Sequence, residues 1–245
     1  MVTLKLLHMY SNMLDLYGDN GNVEILKYRC RLRGIELEMA QHFIGDKDTD
    51  FENQDIIYFG GGADVEQQLL VNDLLSYREN IKSAYKNGVF LFMICGGYQL
   101  MGQYYKDSND KKIEGLGLFD YYTIASTNKR CRCIGNVILE SNLNGENYRV
   151  IGFENHGGQT KGVKTPFGKV LYGNGNEFKS EADGYMEKNV IATYLHGPLL
   201  SKNPKVADYI ISYTMSRKTG SVFVPQPVND KFEEECRKQL FERIL

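Results

Sequence analysis

Cys95 ends an apolar run, residues 89–94, and is followed directly by Gly96 and Gly97. An apolar strand that delivers one cysteine into a Gly-Gly turn, with a helix-patterned segment after it, has the layout of a nucleophile elbow. Small neighbours tolerate the strained backbone of such a turn, and a helix N-terminus favours the nucleophilic thiolate. A buried structural cysteine before a glycine-rich turn is the alternative, so the motif favours covalent chemistry without establishing it.

His196 follows a second apolar run, residues 189–195, and precedes Gly197 and Pro198. An imidazole in this position stands over the end of a strand, where it can accept a thiol proton and later protonate a leaving amine. A histidine that only bonds a backbone carbonyl is the alternative interpretation. Taken with the cysteine motif, the pattern predicts a thiol nucleophile with an imidazole base.

A glycine-rich segment, Gly60-Gly61-Gly62, follows the apolar run 56–59 and precedes a helix pattern that begins near Asp64. Free backbone N–H groups collect at such a strand-to-helix turn and can bind a developing oxyanion. The same kind of turn can cradle phosphates. The GxGxxG and GxxxxGK[ST] fingerprints of nucleotide-binding sites are absent, however, and their absence argues against a nucleotide site.

The elements that must position these residues alternate along the first half of the chain. Apolar β-favouring runs and helix-patterned runs follow one another at 3–9, 21–33, 35–39, 54–59, 64–87, 89–95 and 97–105. This alternation predicts an α/β fold with a mostly parallel sheet, which places ligands at the carboxyl ends of its strands. The segments 10–22, 59–64, 95–98 and 195–198 all follow strands and therefore contain the candidates for chemistry.

The second half has a different pattern. Short apolar runs punctuated by Gly and Asn predict a β-rich insertion over about 115–195, and helical spacing predicts two helices, over 203–217 and 230–245. We therefore expect one domain over residues 1–245, with a C-terminal helical extension from about 203 onwards.

Composition excludes several classes of function. The 29 basic and 31 acidic residues give a formal net charge of -2, which offers no electrostatic reason to bind a nucleic acid. The mean hydropathy of -0.40 argues against a membrane span, and residues 1–10 predict a buried strand, not a signal peptide. Five cysteines, an odd number without a secretory context, favour a reducing cytoplasm over a disulfide framework.

Four segments, residues 59–64, 94–99, 152–158 and 194–198, together resemble the class I glutamine amidotransferase family, in its cobyric-acid-synthase-like (CobB/CobQ-like) branch. The resemblance implies a flavodoxin-like doubly wound sheet and hydrolysis of L-glutamine. It also implies a role for particular residues: Cys95 as nucleophile, His196 as base, Gly61, Gly62 and Gly96 at the substrate and oxyanion, and Arg132 as a substrate-binding residue. Arg130 is the alternative for this role. The spacing between Arg132 and Gly135 favours Arg132.

The same resemblance implies a partner. Ammonia would pass to a MurT-like, Mur-ligase-type synthetase that forms a heterodimer with this chain and amidates the D-glutamate of lipid II, a membrane-bound precursor of the cell wall. ATP and Mg²⁺ are then expected in the synthetase, and no cofactor or metal in this chain. The alternatives are ammonia supply for corrinoid amidation, a Cys peptidase-like hydrolase on the same fold, and a non-enzymatic binding module.

One departure from the family pattern concerns the acid that orients the catalytic imidazole. Many family members carry Glu two residues after the histidine, but this chain has Pro198. An acid from elsewhere in the chain, such as Glu154, or from the partner, would have to replace it. Asp19 is equally compatible with a helix cap or turn and with a functional role, and His156 is expected to line the pocket with Glu154.

Cys131 and Cys133 form a Cys-x-Cys pair without a second Cys or His pair at ligand spacing. Nearby arginines would repel a cation, so the sequence favours a structural or incidental role for both cysteines.

Overall fold

The computed structural model describes residues 2–245, over which the chain alternates strands and helices in its first half and is mostly β in its second. The strands are β1 (Thr3–Met9), β2 (Glu36–His42), β3 (Ile56–Phe59), β4 (Phe90–Ile94), β5 (Tyr104–Lys106), β6 (Lys112–Glu114), β7 (Tyr122–Ala125), β8 (Cys133–Leu143), β9 (Glu146–His156), β10 (Gly158–Lys161), β11 (Gly168–Tyr172), β12 (Ala182–Asp183), β13 (Tyr185–Glu187) and β14 (Val190–Thr193). The α-helices are α1 (Gly21–Arg31), α2 (Asp64–Ser76), α3 (Arg78–Lys86), α4 (Gly96–Met101), α5 (Leu199–Lys202), α6 (Pro204–Thr219) and α7 (Lys231–Ile244).

A six-stranded sheet in the order β13-β14-β4-β3-β1-β2 forms the centre of the molecule. All its neighbouring pairs are parallel except β13 with β14. Every residue of β3, β4 and β14 is buried, which explains why these strands are continuous apolar runs without alternation. The predicted α/β fold with a mostly parallel sheet is confirmed.

Two of the helices predicted from the sequence differ in the structure. The stretch 64–87 is interrupted at Tyr77, whose backbone (φ -102°, ψ 12°) separates α2 from α3 while its ring packs on His42 and Phe51. The stretch 97–105 is helical only to Met101. Gly102 then turns the chain into β5, close enough to Tyr121 that a Cβ on Gly102 would lie 2.6 Å from the Tyr121 carbonyl oxygen. Both breaks are set by packing with distant residues, which local periodicity does not encode.

The β-rich region contains two four-stranded sheets, in the orders β10-β7-β5-β6 and β12-β11-β8-β9. Its longest feature is the antiparallel hairpin β8–β9, which turns at Asn144 and Gly145, both at positive φ. The C-terminal helix α7 is fastened to this hairpin by Arg237, which donates hydrogen bonds to the carbonyl oxygens of Arg149 and Lys202. Among the helices of residues 2–245, none is both long and apolar enough to cross a membrane.

Candidate active site

Cys95 lies in the turn between β4 and α4, with its backbone at φ 47° and ψ -101°. Non-glycine residues rarely adopt positive φ, and strain of this kind is typical of a nucleophile elbow. The Cys95 amide donates to the Thr193 carbonyl oxygen at 2.8 Å, which ties the elbow to the end of β14. Gly97 lets the turn approach β3, since a Cβ there would lie 2.6 Å from Phe59 Cβ.

His196 follows β14 and is held through both its backbone and its ring. Its amide donates to the Phe153 carbonyl oxygen at 2.8 Å, and the Phe153 amide donates back at 3.2 Å. Burial lowers the pKa of the imidazole, but its interactions with Cys95 and Asp19 outweigh burial and raise this pKa to about 10. The two residues that the sequence selected for catalysis therefore lie next to each other, and the imidazole is stabilised as a cation.

Asp19 supplies the carboxylate that the sequence left unassigned. Its Oδ2 lies 2.8 Å from His196 Nδ1, and both side chains are fully buried. The Gly61 amide donates to the same oxygen at 2.9 Å, and the Tyr58 hydroxyl donates to the Asp19 carbonyl oxygen at 2.7 Å. Burial raises the pKa of Asp19, while His196 and the Gly61 amide oppose that rise. Of the two sources that the sequence left open, the chain itself and a partner, the structure therefore provides a carboxylate from the chain itself, at Asp19 and not at Glu154.

Glu154, the internal acid considered from the sequence, is engaged elsewhere. Its carboxylate accepts hydrogen bonds from the backbone and side-chain nitrogens of Asn174, at 2.9 and 2.8 Å, and from the Gly175 amide at 2.9 Å. Pro198 occupies the position of the usual family glutamate and packs on α1, where a Cβ on Gly21 would lie 2.4 Å from Pro198 Cγ.

The glycine loop after β3 has a different role from the one expected at Gly61. The Gly61 amide is used by Asp19, so it is not free to bind an oxyanion. A Cβ on Gly61 would lie 2.6 Å from His196 Cε1 and 2.7 Å from Asp19 Oδ2, so only glycine fits beneath the pair. Gly62 and Gly96 lie against each other, with the ideal Cβ position of Gly96 at 2.8 Å from the Gly62 nitrogen.

A cavity of about 590 Å³ opens beside Cys95. This volume suits a small molecule such as an amino acid. Arg132 and Lys129 lie in its wall, but Arg130 does not. Arg132 Nε donates to Asn155 Oδ1 at 2.9 Å, which leaves the terminal guanidinium nitrogens to the cavity. Asp64 lies on the same wall and accepts a hydrogen bond from the Tyr105 hydroxyl at 2.9 Å.

A model of the CobB/CobQ-like glutamine amidotransferase domain matches residues 5–204. The chain belongs to this family, which confirms the resemblance found in its motifs.

Among its curated relatives is the GatD subunit of lipid II isoglutaminyl synthase (glutamine-hydrolysing) from Streptococcus pneumoniae, which is 39% identical over 96% of this chain and 90% of the relative. The GatD subunit from Staphylococcus aureus is 35% identical over 98% of this chain and 96% of the relative. Cobyric acid synthase from Listeria monocytogenes is 32% identical, but the alignment spans 82% of this chain and only 39% of the synthase.

Solved structures support the fold. PurLQS from Thermotoga maritima superposes with a TM-score of 0.54 at 12% identity, over 88% of this chain and 99% of that chain. The glutaminase domain of Trypanosoma brucei CTPS superposes with a TM-score of 0.53 at 12% identity, over 91% of this chain and 96% of that chain. At such low identity, the likeness concerns the fold alone.

Proposed function

We propose that this chain is the glutamine-hydrolysing subunit of a lipid II isoglutaminyl synthase and that it supplies ammonia to a synthetase partner. The observation that carries the proposal is similarity to GatD subunits over nearly the whole of both chains. The buried Cys95, His196 and Asp19 supply the chemistry that glutamine hydrolysis requires.

The first half of the reaction releases ammonia. The Cys95 thiolate attacks the side-chain amide carbon of glutamine and forms a tetrahedral intermediate. The backbone amides of Gly62 and Gly96 bind its oxyanion. The His196 cation then donates its proton to the leaving nitrogen, the carbon–nitrogen bond breaks, and a glutamyl thioester remains on Cys95.

The second half frees the enzyme. Neutral His196 accepts a proton from a water molecule, the resulting hydroxide attacks the thioester, and glutamate leaves as the thiolate re-forms. Asp19 keeps Nδ1 of the imidazole protonated, so Nε2 is the nitrogen that accepts and donates the transferred protons in both halves.

The cavity wall provides the groups that a free amino acid needs. A guanidinium binds a carboxylate through charge-assisted hydrogen bonds, so Arg132 is the residue proposed to hold the α-carboxylate, with Lys129 adding positive charge. Asp64 offers a carboxylate to the α-ammonium group. This combination favours free glutamine over an internal glutamine residue of a peptide.

The synthetase is proposed to be a Mur-ligase-type protein that forms a heterodimer with this chain and itself binds ATP and Mg²⁺. Glutamine hydrolysis needs none of these cofactors in the mechanism above. The chain would act in the cytoplasm, where the D-glutamate of lipid II is amidated at the inner face of the membrane, and would thereby contribute to cell-wall biogenesis and cell shape.

The test is a reconstituted reaction with [amide-¹⁵N]glutamine, ATP, Mg²⁺, lipid II and a MurT-like synthetase. We expect ¹⁵N in the D-glutamyl amide of lipid II, and no transfer when the chain is replaced by its Cys95→Ala variant. Ammonia release without ¹⁵N in lipid II would leave the glutaminase intact but refute this acceptor.

Ammonia supply for corrinoid amidation is the second candidate, because cobyric acid synthases are 32% identical to this chain over their matching part. Replacing lipid II by a cobyrinate acceptor and its synthetase in the same assay separates the two. Hydrolysis of glutamine-containing peptides at a rate similar to that of free glutamine would instead favour the peptidase interpretation.

A further inference from the structure

The hairpin β8–β9 carries a second group of reactive side chains, Cys133, Glu154 and His156, outside the catalytic residues. Cys133 pairs directly with His156 across the antiparallel ladder, and Glu154 lies two residues before His156 on the same strand. Paired residues and residues two apart project from the same face of a sheet. One potential ligand atom from each side chain lies within 4.8 Å of the other two, and all three side chains are buried.

The His156 imidazole has the hydrogen-bonding pattern of a metal ligand. Its Nδ1 lies 2.7 Å from the Gly158 carbonyl oxygen and therefore carries the proton. Its Nε2, left with a lone pair, has no hydrogen-bond partner within residues 2–245, although the residue is 3% exposed. Metal-binding histidines characteristically donate the second ring N–H to a carbonyl or carboxylate in this way.

The charge around this group is also unbalanced. Glu154 Oε2 lies 3.7 Å from His156 Nε2, too far for a hydrogen bond. No Lys or Arg in the described part of the chain forms an ion pair with Glu154 or with the neighbouring buried Asp183. One oxygen of Asp183 is buried without a hydrogen bond. Buried acidic groups without a cation are costly, so a cation bound by Glu154 would be stabilising.

We propose that Cys133 Sγ, Glu154 Oε2 and His156 Nε2 form a site for a divalent transition metal of the Zn²⁺ type. Thiolate, imidazole and carboxylate are the ligands that Zn²⁺ prefers. Tetrahedral bonds of about 2.0–2.2 Å to nitrogen and oxygen separate two ligand atoms by roughly 3.5 Å, close to the 3.7 Å observed between Nε2 and Oε2.

Binding balances both protons and charge. The Cys133 thiol loses its proton to solvent as the sulfur–metal bond forms, and the two anionic ligands then neutralise the divalent ion. The Asn174 and Gly175 N–H groups that bond Glu154 already fix the orientation of this carboxylate. An exogenous ligand such as water completes the tetrahedron.

The metal would stiffen the wall of the glutamine cavity. Arg132 precedes Cys133, and Asn155 lies between the two other ligands, so the residues that line the cavity are flanked by ligands on both strands. The proposed role is structural, as a crosslink between β8 and β9, and does not change the catalytic steps.

The experiment uses the full-length Cys95→Ser chain, which removes the other buried Cys–His pair. After treatment with a chelator, the chain is titrated with Co²⁺ and followed by absorbance. We expect one equivalent to bind, with a thiolate-to-cobalt charge-transfer band that Zn²⁺ abolishes by displacement, and a higher Tm with metal than with chelator.

Cys131 provides the matched control, since it lies two residues away and outside the cluster. Adding Cys131→Ser should leave the band unchanged, and adding Cys133→Ser should remove it. His156→Gln should weaken Co²⁺ affinity by roughly 100-fold or more, since even changes to outer partners of a metal site cost about 10–100-fold.

Absence of the charge-transfer band in the Cys95→Ser chain at a several-fold excess of Co²⁺ would overturn the proposal. This measurement decides the matter even where the ligand variants fail to fold. A band that survives Cys133→Ser would equally overturn it, by placing the metal on another thiol.

Discussion

Two buried groups in this molecule each combine a cysteine, a histidine and a carboxylate, yet they differ in backbone, access and hydrogen bonding. Cys95 lies in a strained turn beside a cavity, and its histidine bonds Asp19 through Nδ1. Cys133 lies in a regular strand with no exposed surface. Burial raises the pKa of the Cys133 thiol to about 12.

The carboxylates divide the two groups further. Asp19 orients the imidazole of His196 and stabilises its charged form, while Glu154 accepts hydrogen bonds from Asn174 and Gly175 and stays 3.7 Å from His156. Residue types alone therefore do not define a nucleophilic site. A thiol becomes a nucleophile where the backbone places it beside a substrate cavity and a partner accepts its proton, whereas the same atoms on a closed strand face suit a metal or an inert thiol.

The largest difference is expected from removing each cysteine. Cys95→Ala should lower kcat for glutamine hydrolysis by at least about 10⁴-fold, because no other group can form the thioester. Cys133→Ser should keep most of kcat, and so should Cys30, Cys131 and Cys236 changed singly to Ser. The glutamine analogue 6-diazo-5-oxonorleucine should label Cys95 in the unmodified chain; an adduct on Cys133, mapped by peptide mass spectrometry, would reverse the assignment.

The two carboxylates should separate next. Asp19→Asn should lower kcat by up to about 10⁴-fold, the loss that follows neutralisation of the aspartate in a serine-protease triad. Glu154→Gln should lower Tm and leave kcat nearly unchanged. The substitution disturbs the hydrogen bonds from Asn174 and Gly175 but does not touch the catalytic imidazole. Both variants are assayed for ammonia release with and without the synthetase. Recovery of Asp19→Asn on addition of the synthetase would show that the partner provides a carboxylate.

A smaller effect is expected at the cavity wall, on substrate binding. Arg132→Ala should raise KM for glutamine roughly 10- to 100-fold, since hydrogen bonds to charged groups contribute about 1.5–3 kcal/mol. Arg130→Ala is the matched control and should leave KM nearly unchanged, because this side chain is outside the cavity wall. Steady-state kinetics together with Tm distinguishes the two. The opposite result would move the carboxylate-binding role to Arg130.

The smallest expected effect is on the pH dependence of stability, through Asp183, a buried acidic residue near Cys133. Burial raises the pKa of Asp183 to about 7. Between the unfolded pKa near 4 and this value the folded chain holds an extra proton, so this group makes stability fall as pH rises from about 4 to 7. The Asp183→Asn variant has no carboxyl to titrate at this position. As pH rises from 5 to 8, the Tm of the parent chain should therefore fall relative to the Tm of the variant. A Tm difference that is constant over this range would contradict the raised pKa of Asp183.

Much of the fold was predictable because its signals are local. The strands β1, β3 and β4 are compact apolar runs. The segments that follow them contain Asp19, the glycine loop and Cys95, as expected of a parallel sheet. Cys95 and His196 were identified because each follows such a strand directly. Arg132 was placed in the cavity wall by the resemblance, not by any local pattern.

The remaining features depend on contacts that no local pattern encodes. Asp19 was within a candidate segment, but its choice as partner for His196 depends on the packing of Gly61 and Tyr58 around it. Gly61 was expected to face the substrate, and instead its amide supports Asp19. Cys133 gave only a weak metal signal from the sequence, because its proposed co-ligands arrive from the opposite strand of a hairpin.

The strand order of the central sheet also has a consequence for how activity appears in time. β14, which leads to His196, inserts beside β4 although almost a hundred residues of β-rich chain separate them. Contacts between such distant segments form slowly, and ribosomes deliver the chain from its N-terminus. A growing chain therefore presents Cys95 well before its base is made. On refolding, glutaminase activity should accordingly return later than the helical circular dichroism signal. Activity would then show when the central sheet is complete.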